Sequence, residues 1–171
     1  IAYYSADFRN HPMSYLLANL YELHDKNKFE IIGISFGPDK DDEMRKRVSS
    51  AFDEFYDVRL KTEDEIVKFS RELKIDIAID LMCFTKYHKF GIFVKRCAPI
   101  QVNYLGYPGT SGTNYLDYII ADKILIPKES QKYYSEKIAY LPDTYQANDS
   151  TKKISDKIFT REELGLPKDG F

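Results

Sequence analysis

A layered α/β domain built on a mainly parallel sheet is the fold this sequence predicts, on three observations. Short apolar runs alternate with segments of helical periodicity. Helices separate the early strands, and such crossovers favour parallel pairing. The 171 residues, 43% of them hydrophobic and 15% aromatic, suffice for one domain with a sizeable core.

The elements follow in order. Ile1–Ser5 opens the chain as a strand. Pro12–Asp25 reads as a helix with Leu16, Leu17, Leu20 and Leu23 on one face and Pro12 in its first turn. Phe29–Phe36 is a second apolar strand, stopped by Gly37-Pro38. Met44, Val48, Phe52 and Phe55 recur at helical spacing, with a short strand expected near Tyr56–Leu60. Thr62 and Glu65 form a capping box, so a helix runs to about Leu73. Ile75–Leu81 is a further apolar strand, and Lys86–Arg96 a helix ending before Pro99. Ile100–Tyr104 is a strand running into the Gly/Pro-rich turn Leu105–Gly112, and Tyr118–Ala121 and Ile138–Leu141 are short strands.

Beyond them, Asp143–Lys157 turns polar and reads as a linker or domain-crossing segment. Thr160 and Glu163 form a capping box for a short helix that Gly165 could close. A new strand is expected at Gly170-Phe171, with another domain to follow.

Charge and cysteine content exclude several classes of function. The formal net charge is −2, with Lys and Arg scattered, so neither nucleic acid nor an anionic membrane is the expected partner. No stretch approaches the roughly twenty apolar residues that span a bilayer. Cys83 and Cys97 make no disulfide framework, no Cys/His spacing resembles a zinc site, and a reducing compartment is the simpler reading.

Ligands of open α/β sheets bind beyond the carboxyl ends of the strands, where three segments carry unusual residues. Asp7-Phe8-Arg9-Asn10-His11-Pro12 brings a carboxylate, an amide and an imidazole into one loop before a helix. Histidine suits proton transfer near neutrality, although Asn10 could simply cap the helix and His11 be an ordinary loop residue. Leu105–Gly112 holds three glycines and a proline, which permit close approach of backbone N–H groups to a ligand or merely a tight connection. The turn is neither a dinucleotide fingerprint nor a P-loop. Asp80, in the third segment, reads better as a strand-end cap than as a site carboxylate. His24 and His88 read as surface residues, and Tyr133, Tyr134 and Tyr140 as packing residues.

At Leu105–Gly112, preceded by Ala98-Pro99-Ile100-Gln101, and at Ser5-Ala6-Asp7-Phe8 with Asn10-His11-Pro12, the sequence resembles the O-GlcNAc transferase family. Weaker likeness continues through Asp117–Asp122, Tyr134–Lys137 and Tyr145–Asp149, so the resemblance spans nearly the whole chain. It implies a GT-B architecture of two Rossmann-like lobes. Residues 1–150 would be the N-terminal catalytic lobe, and residues 151–171 the linker and start of the second. It also implies inverting, metal-independent transfer of N-acetylglucosamine from UDP-GlcNAc to Ser or Thr hydroxyls of proteins. The donor is a substrate, and no cofactor is implied.

By the same resemblance His11 and Asp7 are the catalytic candidates. Asn10, Thr85, Leu105, Gly106, Tyr107, Pro108, Gly109 and Thr110 match substrate-binding positions. A cytoplasmic location, helical repeats upstream and a cationic phosphate site on the second lobe are implied as well, with this fragment inactive alone. Cys83-Phe84 stands where relatives carry Gly and then His or Tyr, Lys89 where an Arg is usual, Cys97 where a Pro is usual, and Met13 where Thr or Val is common. These departures keep two alternatives open: a protein glucosyltransferase using UDP-glucose, and a non-catalytic lobe that binds a nucleotide sugar or a protein.

Overall fold

The computed structural model describes residues 1–38 and 40–170. Among these, seven strands form one sheet: β1 (Ala2–Ser5), β2 (Ile32–Ser35), β3 (Glu54–Asp57), β4 (Ile77–Asp80), β5 (Ile100–Asn103), β6 (Tyr118–Ala121) and β7 (Lys137–Tyr140). Every pairing is parallel, in the order β3-β2-β1-β4-β5-β6-β7. The chain winds from the centre to one edge, returns, and winds from β4 to the other. This is the Rossmann-like α/β arrangement expected, and its reversal between β1 and β4 opens a crevice at their carboxyl ends.

Alternate residues of a strand face opposite sides of the sheet, and β1 shows the consequence. Ala2 and Tyr4 enter a core with Ile66 and Val67 of α3 (Glu63–Glu72) and Ile92 and Phe93 of α4 (Gly91–Val94). Tyr3 packs instead with Leu17 and Tyr21 of α1 (Pro12–Glu22) and Met44 and Val48 of α2 (Glu43–Ala51). Helices thus cover both faces, and central strands read as continuous apolar runs. The capping box starts α3: Glu65 N–H donates to Thr62 Oγ1 at 3.3 Å and Thr62 N–H to Glu65 Oε2 at 2.7 Å. Such a cap contributes about 1 kcal/mol.

Several elements differ from expectation. Phe55 is not helical: α2 ends at Ala51, and Phe55 lies in β3. Its ring still reaches the same aromatic cluster as Phe52, 5.9 Å away, which is why the spacing looked helical. The helix expected over Lys86–Arg96 shrinks to Gly91–Val94, because Thr85–Phe90 is spent on turns, with Tyr87 at φ 69°. A short 3-10 helix (Lys128–Tyr133) joins β6 to β7 without any periodicity to announce it. The capping box at Thr160 closes a single hydrogen-bonded turn that Gly165 ends, rather than a helix. Phe171, part of the strand expected there, lies outside the described residues.

The polar segment after β7 lies along the domain as far as Thr151. Tyr104 Oη donates to Tyr145 O at 2.8 Å, Ser150 Oγ to Asn19 Oδ1 at 2.7 Å, and Arg47 Nη1 to Asp149 Oδ2 at 2.6 Å. Residues 152–170 are exposed throughout.

Candidate functional site

The loop after β1 is fastened from within and from below. Phe8 is buried and packs edge-on against Phe52 and Phe55, with centroids 5.5 and 5.6 Å away. Asp7 N–H donates to Ser5 Oγ at 2.9 Å, and Ser14 Oγ donates to Asp7 O at 2.6 Å. From α2, Arg45 donates to Phe8 O at 3.2 Å, and Asp42 accepts the Asn10 N–H at 2.9 Å. These ties hold Asp7 and His11 still at the mouth of the β1–β4 crevice.

His11, not Asn10, caps α1: its Nδ1 accepts from Met13 N–H at 3.3 Å. The same Nδ1 stands 3.5 Å from Asp7 Oδ2, while Asp7 Oδ1 accepts from Arg9 Nη2 at 3.0 Å. The two claims on Nδ1 select opposite tautomers of the neutral ring. Accepting from Met13 leaves the proton on Nε2, whereas donating to Asp7 frees Nε2 to take a proton.

Asp7, Arg9 and His11 line a cavity of ≈ 250 Å³ together with Leu81 and Thr85 beyond β4 and Gly106 beyond β5. Lys86 and Tyr87 reach its wall. A Cβ on Gly106 would lie 1.9 Å from Leu81 O, so only glycine lets these two backbones meet. Cys83, Tyr87 and Leu105 hold φ of 46°, 69° and 65°, and this strain clusters around the cavity.

Of the expected site residues, Asp7, His11, Thr85 and Gly106 meet at this cavity. Asn10 is exposed, its Oδ1 accepting from Tyr15 Oη at 3.3 Å. Leu105 is buried, and Tyr107 stacks edge-on with Phe84 at 5.7 Å. The carbonyls of Tyr107 and Gly109 accept from Asn103 Nδ2 at 2.9 and 3.3 Å, and Pro108 O accepts from Tyr134 Oη at 3.4 Å. The Thr110 hydroxyl donates to Glu136 Oε2 at 2.7 Å. Glu136 also accepts from Ser111 N–H at 2.7 Å and from the Ser111 hydroxyl. Asn103 and Glu136 therefore hold the two ends of the turn.

Sequence reasoning passed over Arg9, Asn103 and Glu136 as site residues. Arg9 lies in the Asp7–Pro12 loop, Asn103 near the end of a strand and Glu136 within Tyr134–Lys137, and nothing in those settings marks their contacts. His24, read as a surface residue, is partly buried and hydrogen-bonded to Tyr3 Oη at 2.8 Å. Burial lowers its pKa. Tyr133 is exposed rather than packed.

A larger hollow of ≈ 500 Å³ lies at the amino ends of β4 and β5, between Arg71, Ile75, Arg96 and Pro99. Its guanidiniums are engaged: Arg71 on the Lys95 and Arg96 carbonyls, Arg96 on those of Tyr115 and Pro99 and on Asp117. Lys74 and Asp76 line it as well. Among the described residues no group of three or more His, Cys, Asp or Glu is placed to hold a metal ion. No helix among them is long and apolar enough to cross a membrane.

The sequence pattern of glycosyl transferase family 41 matches residues 1–163. A probable UDP-N-acetylglucosamine–peptide N-acetylglucosaminyltransferase of Arabidopsis thaliana, SEC, is 36% identical over 176 residues, covering 100% of this chain and 18% of its own length. A UDP-N-acetylglucosamine–peptide N-acetylglucosaminyltransferase of Caenorhabditis elegans is 30% identical over 173 residues, covering 99% and 15%. The chain thus spans less than a fifth of either relative. The solved structure of a mutant Thermobaculum terrenum O-GlcNAc transferase superposes with a TM-score of 0.81 at 32% identity, over 85% of this chain and 28% of that one.

Proposed function

The chain belongs to glycosyl transferase family 41, and on that premise we propose that it forms one catalytic lobe of a protein O-GlcNAc transferase. The reaction moves N-acetylglucosamine from UDP-GlcNAc to a Ser or Thr hydroxyl, inverts the anomeric centre and uses neither metal nor cofactor. The observation that carries this reading is the pairing of His11 with Asp7 at the β1–β4 crevice.

The acceptor oxygen attacks C1 of the sugar, and its proton passes to Nε2 of His11. The bond from C1 to the β-phosphate oxygen breaks, leaving its electron pair on UDP. For this the ring gives up its cap on Met13 and turns Nδ1–H to Asp7 Oδ2, 3.5 Å away, which leaves Nε2 free, while Arg9 fixes the other Asp7 oxygen. Thr85, Asn10 and the Leu105–Thr110 turn frame sugar and acceptor. The charge of departing UDP falls to a second lobe, so this fragment alone holds half a site and cannot orient donor against acceptor. Helical repeats upstream and a cytoplasmic location complete the proposal.

The test uses the full-length protein, a protein acceptor, and UDP-GlcNAc or UDP-glucose in the presence of EDTA. A GlcNAc-modified Ser or Thr, in the anomer opposite to the donor's, is the expected product. Transfer from UDP-glucose alone supports the glucosyltransferase reading instead. Binding without transfer from either donor supports a non-catalytic lobe.

A further inference from the structure

Two buried side-chain oxygens lack a hydrogen-bond partner, and they belong to neighbouring residues. Asp80 of β4 and Asn103 of β5 are Cα partners in the parallel ladder, so their side chains stand on one face of the sheet. They are 1% and 0% exposed. Asp80 Oδ1 accepts from Met82 N–H at 2.9 Å, while its Oδ2 has no partner. Asn103 Nδ2 holds the carbonyls of Tyr107 and Gly109, while its Oδ1 has no partner.

An ionised carboxylate cannot satisfy this arrangement, because it offers acceptors only. Turning the Asn103 amide over would supply Asp80 with a donor but set Oδ1 against two carbonyls. A carboxylic acid satisfies every atom at once. We propose that Asp80 is a neutral acid whose Oδ2–H donates to Asn103 Oδ1, which makes Asp80 a positioning residue for the turn beside the cleft. The acid fixes the amide, and the amide fixes the Tyr107 and Gly109 carbonyls.

The surroundings favour the neutral form. Burial pushes the Asp80 carboxyl up to about 7, against the opposing pull of the Met82 and Cys83 amides. A hydrogen bond that only the acid can donate adds to that push. On the other side stands Tyr4 of β1, whose phenol burial raises well above its usual value. Burial pushes the Cys83 and Cys97 thiols up to about 12, so both are neutral. Glu136 acts on Cys83 but is bound to Thr110 and Ser111. Arg71 acts on Cys97 from the far end of the strands, where it binds carbonyls. No side-chain cation pairs with Asp80 among the described residues.

The folded value lies above the unfolded value of about 3.9. The contribution of Asp80 to stability is therefore complete below about pH 4 and is lost as pH rises through about 7. Above that point two unprotonated oxygens face each other, and the turn loosens.

Hydrogen exchange of the Leu105–Gly112 amides in the full-length protein tests this, with Asp80→Asn as the neutral isostere. The Asn amide takes the place of the acid's donor. In the parent protein, protection of the turn, corrected for intrinsic rates, should fall as pH rises from about 4 to about 7, by up to about ten-fold per pH unit, and level off above. In Asp80→Asn it should stay flat, and the thermal midpoint should no longer decline between about pH 4 and 7. The alkaline limb of kcat/KM should also vanish in the variant. Only this kinetic arm rests on the transferase reading. A flat profile in the parent, the same fall in the variant, or an Asp80→Asn protein that fails to fold or loses protection at all pH values overturns the proposal. So does a variant with a protected turn and turnover lowered by about a hundred-fold, because an ionised Asp80 would then be required.

Discussion

The carbonyl oxygen of Leu81 occupies the space in which a side chain on Gly106 would begin, 1.9 Å from the Cβ position. Backbone meets backbone there, so neither neighbour can swing aside as a flexible side chain would. Gly106→Ala should push the turn off the β4 end, lowering kcat/KM at least about ten-fold and the melting point by about 2–4 °C per kcal/mol lost. Gly112→Ala is the control. It has φ of 66° and open space around it, so strain of about 1 kcal/mol should leave turnover nearly unchanged. Equal kinetic effects from both variants would show that the Leu81 contact does not position the turn.

His11→Ala in the full-length enzyme should cut turnover by roughly 10²–10⁴-fold with little change in UDP affinity. Asp7→Asn should lower turnover too, and the double variant should lose less than the product of the single losses, since both act on one imidazole. Because His11 also caps α1, melting should be followed on the same preparations. A lower midpoint with near-normal turnover would leave His11 a cap and nothing more.

Phe84 is 45% exposed and lies against Phe90 and Tyr107, with centroids 4.9 and 5.7 Å away. Replacing it with His or Tyr should change the rate or the sugar preference while moving the melting point only a few degrees, about 1 kcal/mol. Collapse of stability with an unchanged donor ratio would make Phe84 a core residue.

The Asp149 carboxylate is held well below the ordinary range, chiefly by Arg47 and then by the Thr151 hydroxyl. Its stabilising effect is therefore present above the unfolded value of about 3.9 and lost as pH falls below it toward the folded value. Asp149→Asn should remove that acid-side loss. It should also free residues 143–151 for faster proteolysis at neutral pH, read by the cleavage rate after β7. Unchanged cleavage would place the hold on this segment with Tyr145 and Ser150 instead.

Periodicity and caps were enough for most elements, because β1, β2 and β4 are largely apolar and buried under helices on both faces. Where the prediction slipped, tertiary packing had used the same residue types differently. Phe55 keeps helical spacing from Phe52 yet reaches the aromatic cluster from a strand. Thr85–Phe90 folds into turns through a positive φ at Tyr87 that composition does not signal. In the site, Asp7, His11 and the glycine turn could be picked out by chemistry and resemblance. Arg9 and Asn103 could not, since loop geometry that composition does not signal sets their contacts with Asp7 and with the Tyr107 and Gly109 carbonyls. Glu136 could not, since the sheet order alone brings it to Thr110 and Ser111.

Glu136 immediately precedes β7, an edge strand, yet its carboxylate holds Thr110 and Ser111 at the end of the turn whose Gly106 lines the central cavity. The rim of the sheet and the wall of the cavity are thus joined through one turn. A substitution that frays β7 against β6 lets the turn drift and presents itself as a kinetic defect, though it touches no substrate. Mutational surveys that sort residues by distance from the cleft would file such a change under stability, when its first symptom is lost turnover.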